Sequence, residues 1–235
     1  MIGTWFGAIQ DNLLPPICLL CGADGMDGRD LCAGCAASLP RNALACPGCA
    51  TPTTTGQIEL CPTCRARPLP FDCAFVPFHY RPPIDFLVCG LKFDGRLSHA
   101  RLLGELLADA LAERGGSLPD RIVPVPLHPR RLRERGFNQA LELARATARR
   151  FRIPLAANGL RRARYTTPQI QLDARRRRTN LLGAFVAGHP LHGARIALVD
   201  DVITTAGTVA ECARALRAAG ATDIEVWAIA RAADF

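Results

Sequence analysis

Residues Ala197 to Thr208 read A-L-V-D-D-V-I-T-T-A-G-T, an apolar run that ends in two adjacent carboxylates and continues into a loop of small hydroxyl residues. The next segment, Val209 to Gly220 (V-A-E-C-A-R-A-L-R-A-A-G), has the apolar spacing of an amphipathic helix stopped by glycine. Strand, loop and helix start in this order form the geometry in which backbone N–H groups and a helix N-terminus cradle a phosphate. Acids where the strand ends can accept hydrogen bonds from sugar hydroxyls, so the site suggests a phosphorylated ribose. Asp-Asp after a strand is common, and threonine caps helices routinely. The complete order, in its strand–loop–helix context, is what points to a phosphate loop.

Outward from this stretch the chain alternates strand and helix signals. Ala74–Tyr80 reads as a strand, and Ile84–Lys92 and Leu97–Arg114 read as helices, the second with Leu102, Leu103, Leu106, Leu107 and Leu111 on its apolar side. Arg121–Leu127 (R-I-V-P-V-P-L) reads as a strand whose Pro124 and Pro126 argue against a central position. Asn138–Phe151 is a helix, Arg195–Val199 the strand before the loop, and Ile224–Ala230 a last strand. Such alternation implies an α/β fold with a mostly parallel sheet and helices on both faces. Ligands of these sheets sit at strand C-terminal ends, where Asp200 and Asp201 lie.

The first 70 residues are different in kind. Eight of the 11 cysteines form four C-x-x-C pairs, Cys18/Cys21, Cys32/Cys35, Cys46/Cys49 and Cys61/Cys64. Each pair can place two thiolates on one metal, and two pairs complete a tetrahedral four-thiolate site, so the spacing suggests two structural Zn²⁺ ions. Disulfides would need an oxidising compartment that nothing in the sequence indicates. Pairing of the knuckles in sequence order and interleaved pairing both remain open. Cys73, Cys89 and Cys212 stand alone and read as small buried apolar residues. A proline-bearing linker, Arg65–Asp72, divides residues 1–70, an N-terminal segment with two zinc ribbons, from an α/β domain at 71–235.

The 235 residues carry 29 basic and 21 acidic side chains, a formal charge of +8. Two zinc sites with four thiolates each would lower this by about four, since each carries roughly −2. The remaining excess suits phosphate-bearing ligands or nucleic acid without choosing between them. Residues 1–14 show no basic n-region or cleavage pattern, and no apolar run is long enough to span a bilayer. Trp5, Phe6, Ile9, Leu13 and Leu14 fall near one helical face, read as a docking stripe. A reducing cytoplasm is the expected compartment.

Two basic segments flank the acids. Pro124–Gln139 (P-V-P-L-H-P-R-R-L-R-E-R-G-F-N-Q) runs from a strand into a loop rich in arginine, which makes planar bidentate contacts to phosphate oxygens. Arg161–Phe185 is polar and strongly basic, with a cationic turn at Arg175–Arg178, and suits either a flap over a charged substrate or a solvated surface loop.

The Ala197–Thr208 stretch resembles the 5-phosphoribosyl-1-pyrophosphate (PRPP) motif of type I phosphoribosyltransferases. That resemblance implies that Asp200 and Asp201 hold the ribose hydroxyls while Thr204, Thr205, Ala206, Gly207 and Thr208 wrap the 5′-phosphate. The chain departs from the pattern at Ala206, where the family usually has glycine. The full set, P-V-P-L…R-x-R-G-F-N-Q, then T-P-Q-x-x-L…R-x-x-N-x-x-G-A-F, then L-V-D-D-V-I-T-T, all behind paired C-x-x-C knuckles, resembles the competence protein ComF family. Arg131, Arg133, Arg135, Gly136, Phe137, Asn138 and Gln139 fall on the second motif, and Pro168, Gln169, Leu172, Arg177, Asn180, Gly183 and Phe185 on the third.

The resemblance implies a type I phosphoribosyltransferase-like sheet with flanking helices behind a double zinc ribbon, and PRPP bound with Mg²⁺. In an enzyme of this kind a nucleophile attacks ribose C1 as pyrophosphate leaves, with Arg131, Arg133 or Arg135 stabilising the leaving group. The acceptor has no visible signature. The alternative is a non-catalytic module that binds nucleotide or single-stranded DNA in the competence apparatus, for which Phe137 and Tyr165 are the stacking candidates. Some family members are tied to DNA uptake in natural transformation, which makes competence proteins expected partners.

Overall fold

The computed structural model describes residues 15–53, 56–163 and 183–232. The apolar stripe at 5–14, the Arg175–Arg178 turn, Tyr165, Pro168, Gln169, Leu172, Arg177 and Asn180 lie outside the described residues.

Five parallel strands form the central sheet, β1 (Cys73–Phe75), β2 (Phe78–His79), β3 (Arg121–Pro124), β6 (Arg195–Ile203) and β7 (Asp223–Arg231). Their order is β1-β7-β6-β3, and β2 continues the β1 edge of β7, pairing Phe78 with Ala230. The expected strand Ala74–Tyr80 is therefore two short pieces, with Val76 and Pro77 between them. Proline has no N–H to give the ladder. The same chemistry places β3 at the opposite edge, ending at Pro124 rather than Leu127. Two short antiparallel strands, β4 (Leu160–Arg162) and β5 (Phe185–Ala187), lie apart from this sheet.

Both faces of the sheet are buried, and side chains alternate between two cores with the strand period of two. Ala197, Val199, Trp227 and Ile229 join one core, and Ile196, Leu198, Ile224, Val226 and Ala228 the other. Helices α3 (Ile84–Asp94), α4 (Leu97–Arg114) and α6 (Gln139–Phe151) cover the first face, and α7 (Gly207–Ala218) covers the second through Val209, Cys212, Ala213 and Leu216. Helices α4 and α6 cross closely, since a Cβ at Gly104 would come within 2.8 Å of the Ala146 Cβ. Buried His99 joins α4 to α3, its Nδ1 lying 3.0 Å from the Leu87 carbonyl.

The cysteine-rich segment packs on this scaffold and contributes two single-turn helices, α1 (Ala33–Ala37) and α2 (Pro62–Ala66). Cys18, Leu31 and Leu39 join the core under α3 and α4, whereas Ala50 joins the core under α7. The chain thus wraps the β1/β2 edge and touches both layers. No helix among the described residues is long and apolar enough to cross a membrane.

Candidate functional site

The acid pair lies within a strand and not beyond one. The expected strand ended at Val199, but β6 continues to Ile203, paired with β7 through Asp200↔Ala228 and Ile203↔Arg231. Consecutive strand residues point to opposite faces, so Asp200 and Asp201 look into different surroundings. Asp200 follows Ile196 and Leu198 toward α7, where it feels Cys212. Asp201 follows Ala197 and Val199 toward α3, where its Oδ1 is 3.0 Å from Lys92 Nζ. Each carboxylate also accepts the next backbone N–H, Asp201 N–H to Asp200 Oδ1 at 2.9 Å and Val202 N–H to Asp201 Oδ1 at 2.6 Å.

Burial pushes the Asp200 carboxyl up to about 7, and the charge of Asp201 pushes the same way, against Lys92 and Arg162. Burial thus favours the protonated form of Asp200, while Asp201 is held against a cation. Lys92 carries no sequence signal of its own, being a cation in the last turn of a helix, an ordinary place for one. Only the packing of α3 on the sheet brings it to Asp201.

Beyond Ile203 the chain turns through Thr204 and Thr205, both exposed, to Ala206, which begins α7. Ala206 sits at φ +57°, the left-handed conformation that favours glycine. The departure from the family pattern therefore falls on a residue held in a costly backbone state. A small cavity opens here, lined by Asp200 and by Val202 to Val209, so the first acid and the whole hydroxyl loop share one space. The N-terminus of α7, a 12-residue helix, faces the same loop.

The arginines expected in a loop lie on a short helix, α5 (Pro129–Arg135), with Pro129 at its first turn, the His128 side chain capping Arg130 N–H, and Gly136 ending it at φ +80°. Helical spacing sorts them: Arg131 and Arg135 share a face, and both are half-buried, while Arg133 is exposed on the other side. Burial lowers the Arg135 pKa, and the charge of Asp201 opposes that shift, so Arg135 reaches the acid's field. Arg162 on β4 and Arg130, Arg131 and Arg133 all depress His128, after its burial, which marks a concentrated positive field at the end of β3. Asn138 joins α5 to α6, its amide donating to the Val125 carbonyl at 3.0 Å while its Oδ1 accepts the Ala140 N–H.

The ends of the basic segment expected as a flap are pinned, because β4 and β5 pair antiparallel with Arg162 opposite Phe185. Gly183 N–H points to Glu211 Oε2 at 3.4 Å, on α7. Phe137 is half-buried against the core on the α3 side.

The eight knuckle cysteines form two clusters in sequence order, Cys18/Cys21/Cys32/Cys35 and Cys46/Cys49/Cys61/Cys64, each with its sulfurs within 4.8 Å of one another. Adjacent sulfurs lie 3.7 Å apart in both, Cys21 to Cys32 and Cys49 to Cys61. A tetrahedron with Zn–S bonds of about 2.3 Å has edges of about 3.8 Å, so both donor sets fit structural zinc. Burial pushes the Cys18 and Cys46 thiols up, but backbone N–H groups outweigh it and bring them down to about 6 and about 7. Among the lone cysteines, Cys212 is buried and Cys73 and Cys89 are half-buried.

The second cluster reaches the hydroxyl loop. A groove of about 590 Å³ runs between them, walled by Thr51, Thr53, Leu60 and Arg65 on one side and Thr204–Ala206 and Arg231 on the other. Arg231 lies at the end of β7, and nothing in its local sequence marks it as part of a site.

A family model described as a double zinc ribbon domain matches residues 9–66. Competence protein F of Haemophilus influenzae is 37% identical over 179 residues, covering 73% of this chain and 78% of that protein. DNA utilization protein YhgH of Escherichia coli K12 is 35% identical over 223 residues, 93% of this chain and 98% of that protein. The chain belongs to the ComF family. Among solved structures, the glutamine PRPP amidotransferase from B. subtilis complexed with ADP and GMP is 25% identical at a TM-score of 0.38, covering 55% of this chain and 25% of that one. A purine phosphoribosyltransferase from Pyrococcus horikoshii is 17% identical at 0.34, covering 56% and 80%. The ComF-family chain has the expected fold class, a parallel sheet with flanking helices behind a cysteine-rich double ribbon.

Proposed function

We propose that this protein binds PRPP, with the ribose hydroxyls on Asp200 and Asp201 and the 5′-phosphate on Thr204 to Thr208. The observation that carries the reading is the shared cavity of Asp200 and the hydroxyl loop, opening at the N-terminus of α7. There, backbone N–H groups and a helix dipole favour a dianion, and the Asp200 carboxylate can accept from a sugar hydroxyl, while Asp201 would have to meet the ribose from the Lys92 side of the strand. We assign pyrophosphate to Arg131 and Arg135, a reading supported by their shared half-buried face on α5, the positive surround of His128 and the influence of Asp201 on Arg135. Mg²⁺ arriving with PRPP supplies charge neutralisation on the pyrophosphate.

In the transferase form of this proposal a nucleophilic acceptor bonds to ribose C1 as the C1–O bond to pyrophosphate breaks, the electron pair leaving with pyrophosphate. Arginine donors aimed at the departing oxygens stabilise the charge that develops there. A second reading, a non-catalytic module for nucleotide or single-stranded DNA, is supported by the names of the relatives and by the arginines gathered about His128.

Calorimetry separates the two. Wild type titrated with PRPP and Mg²⁺ should bind in the micromolar range, and Asp200→Asn/Asp201→Asn should weaken binding by about 100-fold or more, as two charge-assisted contacts are lost. Folded, zinc-loaded wild type that gives no binding, yet retains single-stranded oligonucleotide in the same buffer, would move the assignment to the DNA module.

A further inference from the structure

Arg231 is buried at the end of β7 and is shared between the second ribbon and the phosphate loop. Its Nε donates to the Cys49 carbonyl at 3.2 Å and its Nη2 to Thr51 Oγ1 at 2.8 Å. Its Nη1 serves the Ile203 carbonyl at 3.1 Å and also the carbonyls of Thr204 and Ala232. Thr51 Oγ1 in turn lies 3.1 Å from Cys49 Sγ, a sulfur of the second cluster. One guanidinium thus ties a zinc knuckle to the residues that launch the phosphate loop.

No carboxylate among the described residues pairs with Arg231. A buried, charged group needs its donors satisfied, and here the acceptors come from two segments about 150 residues apart in sequence, which this side chain joins by hydrogen bonds beside the packing of Ala50 with Ile203 and Ala206. The planar fork of arginine suits acceptors in fixed positions. If the knuckle loosens, Cys49 O and Thr51 Oγ1 withdraw, and Arg231 must find solvent or pull on Thr204. Among the described residues no side chain ties the first cluster to the hydroxyl loop in this way; its ribbon meets α4 instead, through Arg29 to Glu105 and Asp109 and through Arg101 to the Gly28 carbonyl.

We propose that Arg231 is a positioning residue that makes the second four-cysteine site and the phosphate loop one cooperative unit. Metal at Cys46, Cys49, Cys61 and Cys64 sets the loop's geometry, and a ligand on the loop strengthens metal retention at that site alone. The second half of this statement rests on the phosphate-binding reading, and the first half does not. Reciprocity follows from linkage: whatever metal does to ligand affinity, ligand does to metal affinity by the same factor.

The test uses the full zinc-loaded chain and hydrogen exchange of a peptide covering residues 203–209. Thr51→Val keeps all eight cysteines and removes one of Arg231's acceptors; it should raise loop exchange by about tenfold, the equivalent of one hydrogen bond to a charged group. Cys64→Ser should raise it further, and Cys21→Ser, which damages only the first cluster, should leave it within about twofold. Arg231→Lys keeps the charge but has fewer donors, and should fall between wild type and Cys64→Ser. Loop exchange unchanged in Thr51→Val and Cys64→Ser, or raised equally by Cys21→Ser, overturns the coupling.

Zinc release to a chelator, with metal content checked for each variant, gives the reciprocal measurement. Saturating PRPP with Mg²⁺ should slow one of the two release phases by about tenfold in wild type and not in Thr51→Val. PRPP that binds by calorimetry without slowing either phase overturns the linkage and leaves the PRPP reading intact. PRPP that does not bind, beside a loop that still responds to Thr51→Val, overturns the ligand reading and keeps the clamp.

Discussion

The two zinc clusters are nearly the same object in sequence, C-x-x-C pairs separated by 10 residues in the first and 11 in the second, yet they are attached to the molecule differently. The first lies on the helical layer, with Leu31 and Leu39 in the core and Arg29 paired to Glu105 and Asp109 on α4. The second faces the hydroxyl loop across a shared groove, and Arg231 reaches from it to the Thr204 carbonyl. One cluster is fastened to the helical layer, and the other stands against the candidate site. A ligand motif therefore says what is bound, and its neighbours say what the binding serves.

The largest break in this comparison should come from removing one ligand from each cluster and measuring PRPP affinity by calorimetry. Cys64→Ser should weaken PRPP by about 100-fold, because the loop loses its support and the site its preorganisation. Cys21→Ser should cost thermal stability, as any structural zinc does, and leave affinity within about threefold. Equal losses from both would mean the clusters act only through global folding.

A second contrast is between the acids. The Asp200 carboxyl sits at about 7 in the folded chain against about 3.8 in the open chain, so the folded state holds a proton that the unfolded state has lost between those values. Stability from this group is then greatest below pH 4, falls as pH rises through that window, and stays low above pH 7. Asn cannot ionise. Asp200→Asn should therefore melt higher than wild type at pH 8, by about 1 kcal/mol or more, corresponding to roughly 2–4 °C, with the gap closing toward pH 4, while losing PRPP. A melting gap that does not change with pH would sink the assignment of the burial cost to Asp200.

Smaller effects sharpen the same picture. Ala206→Gly removes a left-handed alanine and should raise stability by about 0.5–1 kcal/mol in chemical denaturation, with PRPP affinity within about threefold. On the first cluster, Arg29→Ala breaks pairs whose side chains are 32%, 29% and 39% exposed. It should cost only about 0.5–1 kcal/mol, reduced further by salt, with no change in PRPP binding.

Much of this was legible locally. Four knuckles at fixed spacing announce two metal sites, and the run from Ala197 to Gly220 announces a strand, an acid pair, a hydroxyl loop and a helix, because each depends on neighbours within a few residues. The prolines at 124 and 126 argued against a central strand while the phosphoribosyltransferase resemblance put it in the core sheet, and β3 is the edge strand of that sheet. Less legible were the strand's extension through the acids, which β7 enforces by pairing as far as Arg231, and the short helix that sorts the arginines by face. Lys92 and Arg231 were not legible at all. Both look like ordinary helix-end and strand-end cations, and their partners lie 109 and 182 residues away, at Asp201 and Cys49.

By itself the sequence determined the fold class, the metal donors and the acids and loop of the candidate site, since periodicity, ligand spacing and turn chemistry are short-range properties. Only the tertiary structure decided that the knuckles pair in order, that Asp200 and Asp201 face opposite layers, and that the second ribbon stands against the hydroxyl loop. Those facts depend on which segments meet when both faces of the sheet are buried, and no short window of sequence contains both partners of such a contact.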